Sequence, residues 1–294
     1  MKQSLTPRQL AQALGVSESS MKRWVDEGRV RAARTAGGHR RIPLTDALRF
    51  VRSSSLELVA PDALGFPDVA AVVLPNRDRL ADATRQLTDV LAEGDERRAV
   101  ALVLSLFLGG ESVAAIADGP IRGAMEDIGT RWQHSEDGLV VEHRASDIVN
   151  QALNQLRSLF PAPPGAMVAI GGALEGDPYL LASLAAATAL ATEGIDAIHL
   201  GPNTPAASLT LAARLREADL VWVSVNVPLG SGTIRSQLEE LGREMTSAGR
   251  PFMIGGKGLD GAPLPGELER LPRGGSIAEL VGFAKAIAAT RPAS

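Results

Sequence analysis

The chain has 294 residues, of which 45% are hydrophobic and 22% charged, with a formal net charge of −4 and no cysteine. This composition supports a packed core and excludes global disorder, and the length corresponds to roughly two domains. Disulfides and thiolate metal sites are excluded, and no apolar run reaches the about 18 residues that a membrane span requires. Because MKQSLTPRQL lacks the apolar centre of a signal peptide, a cytoplasmic protein is expected.

Charge is distributed unevenly along the chain. Residues 1–55 hold eleven Lys and Arg against four acidic residues, a net +7, so the remaining residues together carry −11. A basic N-terminal region on an acidic body indicates a polyanionic partner, because neutralising phosphates releases their counterions.

The basic region shows the punctuation of two short helices. Thr6 can cap a helix that starts at Pro7 and ends at Gly15, and Ser17 can cap a second helix that ends at Gly28. Two helices around a Gly-Val-Ser turn predict a helix-turn-helix, in which the second helix enters the DNA major groove. The side chains of the second helix that we expect to face DNA are Ser19, Ser20, Lys22 and Arg23.

A wing is predicted next. Residues 29–42, RVRAARTAGGHRRI, indicate two short strands joined at Gly37 and Gly38, with arginines on both arms that can grip phosphates. Residues 43–53 predict a third helix capped by Thr45. The wing residues expected to contact DNA are Gly38, His39, Arg40 and Arg41.

The order helix, turn, helix, GGHRR wing, helix resembles the DNA-binding domain of the MerR family. The wing is closest to the T-x-G-G-H-R-R pattern of that family's short, excisionase-like relatives. The resemblance covers residues 4–53 and implies a double-stranded DNA operator as the partner.

A linker and a helical layer follow the basic region. Residues 56–78 contain three prolines without sustained periodicity, which predicts a linker with short ordered pieces. Residues 79–160 have apolar positions three and four apart, punctuated by glycines, which predicts a four-helix bundle. Trp132 near the end of its third helix, with Glu142 and His143 early in the fourth, can cover a flat ligand or form a core tryptophan beside a surface ion pair.

From residue 165 to 292, apolar strands alternate with helices. This alternation predicts a flavodoxin-like (Rossmann-type) domain, a parallel sheet with helices on both faces, whose ligands bind at the carboxyl ends of the strands. A G-x-G-x-x-G after the first strand and a G-K-[ST] loop are both absent, which disfavours a dehydrogenase or a kinase. The edge residues expected to bind a ligand are Asp177, Tyr179, Asn203, Ser224, Asn226, Gly255 and Gly256.

The W-x9-E-H pattern, the loop EGDPYLL, LGPNTP, Ser224 in VSVNV, and IGG together resemble the cobalamin-binding module of the CarH/LitR photoreceptor regulators. A more distant likeness is to the corrinoid module of methionine synthase. With the MerR-like region, the CarH/LitR resemblance spans nearly the whole chain in the same domain order. It implies that residues 79–160 form a cobalamin cap and that residues 165–292 bind the cofactor, adenosylcobalamin or another cobalamin.

The resemblance also implies roles and a mechanism. Trp132, Glu142 and His143 would lie on the upper side of the cofactor, where Trp132 would shield the alkyl ligand. His143 would coordinate cobalt once light has broken the cobalt–carbon bond. Adenosylcobalamin would assemble dimers or tetramers on the operator, usually as a repressor, and light would dissociate them.

One position departs from that family. Its first loop carries D/E-x-H, whose histidine binds cobalt from below, whereas Tyr179 stands at this position. A neutral phenol is a poor cobalt ligand, and a buried phenolate, whose ordinary pKa is about 10, is costly. Cobalamin can then bind with its own base on the metal or through another ligand, or the pocket can hold something else or nothing.

Three functions follow from these alternatives. The first is a cobalamin-dependent, light-responsive transcriptional regulator. The second is a MerR-like regulator that senses another ligand, such as a tetrapyrrole, or a protein partner. The third is a corrinoid carrier for methyl transfer, which a basic DNA-binding region disfavours. Since the sequence shows no catalytic triad, paired carboxylates or metal-ligand cluster, we do not expect an enzyme.

Overall fold

The computed structural model describes residues 4–54, 56–72, 79–132, 136–229, 232–261, 264 and 266–291. They form two compact units. The first comprises Met1–Ser112 and Gly119–Ala152, and the second comprises Val113–Asp118 and Leu153–Ser294. The domain boundaries predicted above stay predictions. Across the described ranges, no helix combines the length and the apolar character needed to cross a membrane.

The first unit begins with a winged helix-turn-helix. Its elements are β1 (Ser4–Leu5), α1 (Pro7–Ala13), α2 (Glu18–Asp26), β2 (Ala33–Arg34), β3 (Arg40–Pro43) and α3 (Leu44–Ser53). The strands pair antiparallel in the order β1-β3-β2. Thr6 forms a capping box with Gln9, and the Ser17 hydroxyl accepts from the N–H of Ser20 at 3.1 Å, so both predicted caps are confirmed.

The predicted cap of the third helix is wrong. Helix α3 begins at Leu44, directly after Pro43, and has no side-chain cap. Thr45 therefore lies inside the first turn. The N-cap position is occupied by Pro43, the last residue of β3, whose side chain has no hydrogen-bond acceptor.

Helices make up the rest of the first unit. They are α4 (Pro61–Leu64), a 3-10 helix (Pro67–Ala71), α5 (Arg79–Glu93), α6 (Glu96–Leu108), α8 (Arg122–Trp132) and, up to Ala152, α9 (Gly138–Ser158). The four predicted bundle helices are thus present. Their buried side chains include Leu87, Leu91, Leu102 and Leu106.

The third predicted helix is interrupted. It begins as α7 (Val113–Ile116), passes through a π-helical turn (Ala117–Ile121) and continues as α8. Pro120 lies in the π turn. Because proline has no N–H to donate, the regular hydrogen-bond ladder cannot run through this point.

The described part of the predicted linker, residues 56–72, is ordered. The N–H groups of Val59 and Ala60 donate to the carbonyl of Ala13 at 2.9 and 3.1 Å. Leu64 and Phe66 are buried. Residues 73–78 lie outside the described residues.

The second unit contains the parallel sheet. Its elements after α7 and the last turns of α9 are β4 (Val168–Ala173), α10 (Leu181–Thr192), β5 (Asp196–His199), α11 (Ala206–Leu215), β6 (Leu220–Ser224), α12 (Gly232–Ser247), β7 (Phe252–Gly255), β8 (Arg273–Gly274) and α13 (Ile277–Thr290). All strands are parallel, in the order β5-β4-β6-β7-β8. This order is flavodoxin-like, so the predicted fold class is confirmed. Strand β8, which has only two residues, was not predicted.

Helices cover both faces of the sheet. On one face, Val221, Val223 and Ile254 pack in a single cluster with residues of α11 and α12. On the other face lies α10, which contacts β4, β5, α7 and α13. Helix α10 is buried without a break from Ser183 to Ala191. The sheet is therefore packed between two layers of helices.

Candidate functional site

The second helix of the helix-turn-helix keeps its predicted contact residues at the surface. Lys22 forms an ion pair of 2.8 Å with Glu18, and Arg23 one of 3.7 Å with Glu27, yet both basic side chains remain about half exposed or more, at 49% and 67%. Ser19 is exposed, whereas Ser20 is half-buried at the helix cap. Exposed pairs of this kind contribute little stability, so both cations are available to phosphates.

The wing is a tight turn that spreads basic side chains. The N–H of Thr35 donates to the carbonyl of His39 at 2.9 Å, and Gly38 has a φ of +76°, which favours glycine. His39 and Arg41 are exposed. Arg40 donates to Asp26 at 2.6 Å, which fastens the wing to α2.

Arg34 joins the predicted wing residues. It lies on β2 directly opposite Arg40, and it is exposed. The short hairpin of β2 and β3 therefore carries three arginines, Arg34, Arg40 and Arg41. Arginines were predicted on both arms of the wing, but Arg34 was not among the predicted contact residues.

Replacing Arg41 with alanine is expected to weaken DNA binding about fivefold at every sequence and to lower the salt dependence by about one phosphate contact. The reason is that an exposed wing arginine contacts backbone phosphate, which carries no sequence information. Fluorescence anisotropy over a salt series measures both quantities. Arg235→Ala, an exposed arginine of α12, is the control and should change neither. A loss confined to one DNA sequence would contradict the phosphate role.

The start of α9 exposes an apolar and titratable surface. Leu139 and Val140 are each 67% exposed, and Glu142 and His143 are exposed as well. Residues three and four apart share a helix face, so Leu139, Val140 and His143 form one patch. Trp132 is the last residue of α8, and its side chain lies outside the described part of the structure.

Arg144, next to the predicted pair, has a structural role that spacing did not reveal. Its guanidinium donates to the carbonyl of Gly94 at 2.8 Å. A Cβ at Gly94 would lie 2.1 Å from Cζ of Arg144, and φ there is +69°, a conformation that favours glycine. This contact fastens the start of α9 to the end of α5 and holds His143 at the surface.

Asp177 organises the carboxyl edge of the sheet. Its side chain is fully buried. One oxygen accepts from the N–H of Tyr179 at 3.1 Å, and the other accepts from the N–H and the side-chain amide of Asn226 at 2.6 and 3.2 Å. The carboxylate therefore joins the loop after β4 to the loop after β6.

The other predicted edge residues surround that carboxylate. Asn203 donates its N–H to the carbonyl of Asp177 at 3.0 Å and accepts from the N–H of Gly176 at 3.0 Å. Ser224 ends β6 and is 7% exposed. Gly255 ends β7, and a Cβ at Gly256 would lie 2.3 Å from the carbonyl oxygen of Val225. The structure thus gathers the predicted edge residues of the second unit along one rim.

Tyr179 stands apart from this network through its side chain. Its N–H is bound by Asp177, while its side chain is 54% exposed. The backbone of the loop is therefore fixed, and the phenol is not buried in the edge.

A histidine at the end of β5 forms a hydrogen bond with a serine of α10. Nε2 of His199, on β5, lies 2.9 Å from Oγ of Ser183, which is fully buried in α10. Burial lowers the pKa of His199 to about 4, and the nearby Arg157 guanidinium lowers it as well. The imidazole is therefore neutral at physiological pH.

This histidine predicts an acid-dependent loss of stability. Because its pKa is lower in the folded protein than its ordinary value of 6.5, protons bind the unfolded state better. The contribution of His199 to the free energy of unfolding is fully present above pH 6.5 and is lost as the pH drops toward 4. Allowing for partial exposure, we expect a loss of about 2 kcal/mol over that range.

Urea unfolding at a series of pH values measures that loss. His199→Gln, which can still hydrogen-bond Ser183, should flatten the pH dependence by this amount. The contributions of carboxylates remain in both proteins and cancel in the comparison. Identical slopes for the two proteins would show that His199 does not carry the effect.

Comparisons with known families match two segments of the chain, both mainly in the first unit. Residues 83–157 match the B12 binding domain, and residues 4–55 match a helix-turn-helix domain. The chain therefore carries a B12 binding domain and a helix-turn-helix domain. The predicted cofactor class, cobalamin, is thereby confirmed. A comparison with curated proteins finds no match.

Solved structures with similarity to the chain include three proteins. A cobalamin-binding protein from Desulfitobacterium hafniense is 14% identical, with 69% of this chain and 98% of that chain covered and a TM-score of 0.36. The monomethylamine corrinoid protein of Methanosarcina barkeri is 15% identical, with 70% and 99% covered and a TM-score of 0.48. The methanol:cobalamin methyltransferase complex of the same organism is 17% identical, with 76% and 89% covered and a TM-score of 0.37.

The donor sets of the two units fit cobalamin unequally. In the first unit, the exposed imidazole of His143 beside Leu139 and Val140 suits a metal-centred apolar ring, since neutral imidazole is a common metal ligand. In the second unit, the rim carries Tyr179 in the loop where a nitrogen donor would be expected, and the carboxylate of Asp177 is fully engaged. The first unit thus offers an exposed imidazole to a metal, whereas the loop after β4 in the second unit offers a phenol.

Proposed function

We propose that this chain is a transcriptional regulator of the MerR type, with a CarH/LitR-like sensor, whose binding to operator DNA is controlled by a cobalamin. The observation that carries the proposal is the presence of a helix-turn-helix domain and a B12 binding domain in one chain. The surface cations of α2 and the wing supply the phosphate contacts. We infer a regulator and not an enzyme, acting in the cytoplasm.

Under this proposal, different residues of the two units contact the cofactor. In the second unit, the rim built on Asp177, Asn203, Ser224, Gly255 and Gly256 offers backbone and small side chains, against which the edge of a large ring can lie closely. Its fixed loops mean that little ordering entropy is lost on binding.

In the first unit, we assign to His143 coordination of the metal and to Leu139 and Val140 the cover of the apolar ring. Their exposure supports this assignment, because neighbouring large apolar side chains on a surface mark binding sites. Trp132 is proposed to shield the upper ligand, with Glu142 beside it.

Light is the proposed input. Cobalamin with an alkyl upper ligand supplies a cobalt–carbon bond that light can break. We propose adenosylcobalamin as that form, with dimers or tetramers occupying the operator in the dark as a repressor. The coupling is allosteric, because the state of the ligand shifts an assembly equilibrium that DNA also senses.

The test combines absorption and DNA binding. The full chain is incubated with adenosylcobalamin in the dark, desalted, and used to select binding sites from random DNA. We expect a retained cobalamin spectrum and an operator affinity that falls at least about tenfold on illumination. His143→Ala is the matched variant, which should bind in the dark but release cobalamin after light. A colourless protein after desalting would refute the proposal.

A second function is favoured by one observation. The loop that would supply a lower ligand carries Tyr179, whose side chain is 54% exposed. A regulator that senses another tetrapyrrole or a protein partner would not need a nitrogen there. Retention of haem in place of cobalamin, in the same desalting assay, would establish this alternative.

A further inference from the structure

We propose that Glu18 is a specificity-determining residue, whose carboxylate accepts a hydrogen bond from the N4 amino group of a cytosine in the DNA major groove. The inference rests on the DNA-binding part of the proposed function and goes beyond it by naming a base that the operator contains. It is carried by the position of Glu18 on α2, by its exposure and by its contact with Lys22.

Glu18 lies where a recognition helix contacts base edges. It is the first residue of α2, directly after the cap Ser17, and its side chain is 43% exposed. In a helix-turn-helix, the N-terminal residues of the second helix contact base edges in the major groove. The next two residues, Ser19 and Ser20, carry hydroxyls, which both donate and accept and so discriminate poorly between bases. The first turn of α2 thus presents one charged side chain, and it is a carboxylate.

Lys22 keeps this carboxylate ionised and oriented. Its Nζ lies 2.8 Å from Oε1 of Glu18, one turn away on the same helix. That hydrogen bond lowers the pKa of the Glu18 carboxyl from its ordinary value of 4.5, and the charges of Lys22 and Arg8 act in the same direction. An ionised carboxylate only accepts hydrogen bonds, and Oε2 can accept in addition to Oε1. Because an ammonium group has three N–H donors, Lys22 can hold Glu18 and still contact a phosphate.

The other two acids of this helix differ from Glu18 in their position and their contacts. Asp26 accepts from Nε and Nη2 of Arg40 at 3.2 and 2.6 Å, so it is engaged by the wing. Glu27 follows the last residue of α2 and lies 3.7 Å from Arg23. Both acids are at the C-terminal end of the helix, whereas base contacts come from its N-terminal residues. Glu18 is therefore the acid of this helix that is placed to contact a base.

The major groove offers one suitable base to an acceptor of this kind. Its hydrogen-bond donors are the amino groups of cytosine and adenine, whereas guanine and thymine present acceptors, which repel a carboxylate. The adenine amino group lies beside the acceptor N7, while cytosine presents its amino group alone. Because phosphates repel a carboxylate that has no donor in the groove, Glu18 favours a C·G pair at the position that it contacts.

The test is selection of binding sites from random double-stranded DNA by the full chain, incubated with adenosylcobalamin in the dark, and by its Glu18 variants. Fluorescence anisotropy then compares four duplexes that differ only at the position in question. For the wild type we expect cytosine there, and an affinity about tenfold lower when the C·G pair is replaced. Glu18→Ala should lose this preference. Glu18→Gln should change it from cytosine to adenine, because an amide can accept from N6 and donate to N7.

Glu27→Gln is the matched control. It removes a charge of similar exposure, 48% against 43%, from an ion pair on the same helix, and the preference for cytosine should remain. If Glu18 only stabilises α2, its variants lose stability and select the same bases as the wild type. Should Glu18→Ala not fold, Glu18→Gln, which keeps the shape of the side chain, still decides.

The outcomes separate the inference from the proposed function. A cytosine preference that persists in Glu18→Gln, or a selected site without a preferred cytosine, overturns the inference and leaves the proposed function intact. Loss of the preference in Glu27→Gln as well overturns the assignment to Glu18. A wild type that selects no site overturns the proposed function, and the inference with it.

Discussion

Replacing Asp177 with alanine is expected to lower the free energy of unfolding by about 4 kcal/mol and to abolish cobalamin retention. The buried carboxylate accepts three hydrogen bonds, from the N–H of Tyr179 and from the backbone and side chain of Asn226. Alanine leaves those three donors without their acceptor. The loops after β4 and β6 then lose their common anchor, and the rim loses its shape.

Asp177→Asn separates charge from shape. The amide oxygen can still accept both bonds from Asn226, but the NH2 group then faces the N–H of Tyr179, so we expect about half of the loss seen with alanine. Glu175→Ala is the control, because that side chain is exposed on the same loop and its removal leaves the network intact. Urea unfolding and equilibrium dialysis with hydroxocobalamin measure the two effects. Unchanged stability in Asp177→Ala would show that the network is not the anchor.

Features formed by residues close in the sequence were predicted better than features formed by residues far apart. The caps at Thr6 and Ser17 were predictable because they are local, formed within three residues. Thr45 was misassigned because the helix starts straight from a strand, which pattern alone does not show. Strand β8 has two residues and thus no periodicity to detect.

The candidate site was predicted in its location more than in its contacts. Alternating strands and helices placed Asp177 and Asn226 at one edge, but they did not reveal that the carboxylate of one binds the amide of the other, 49 positions away. Arg144 and Gly94 meet across 50 positions, for the same reason beyond any local pattern.

A third long-range contact joins the helix-turn-helix to the bundle. The guanidinium of Arg52, on α3, lies 3.8 Å from the ring centroid of Phe107 at the end of α6. It also donates to the carbonyls of Phe107, Gly110 and Glu111, the last at 2.8 Å. A cation at a helix C-terminus satisfies carbonyls that have no partner within the helix and complements the helix dipole.

Arg79 provides a matched comparison at the same helix end. Its guanidinium donates to the carbonyls of Ser105 and Gly109, both at 3.3 Å. It comes from α5, inside the bundle, whereas Arg52 comes from the DNA-binding part. The two arginines thus cap the same helix, but only Arg52 connects it to α3.

Arg52→Ala is expected to lower the free energy of unfolding by about 3 kcal/mol, because it removes both the ring contact and the capping bonds. It should also reduce the effect of cobalamin on operator affinity toward none, since α3 then loses its fastening to α6. Arg79→Ala should cost a similar amount of stability and leave the cobalamin effect unchanged. Arg52→Lys keeps the charge without the planar fork, so only part of both properties should return.

The measurement is the ratio of operator affinities with and without cobalamin, together with urea unfolding of each variant. Stability alone cannot produce the expected pattern, because Arg79→Ala is destabilised as well. Equal ratios in Arg52→Ala and Arg79→Ala would show that coupling does not pass through the α3 to α6 contact. A ratio that falls only in Arg52→Ala would instead show that the contact between α3 and α6 couples the ligand state to DNA binding.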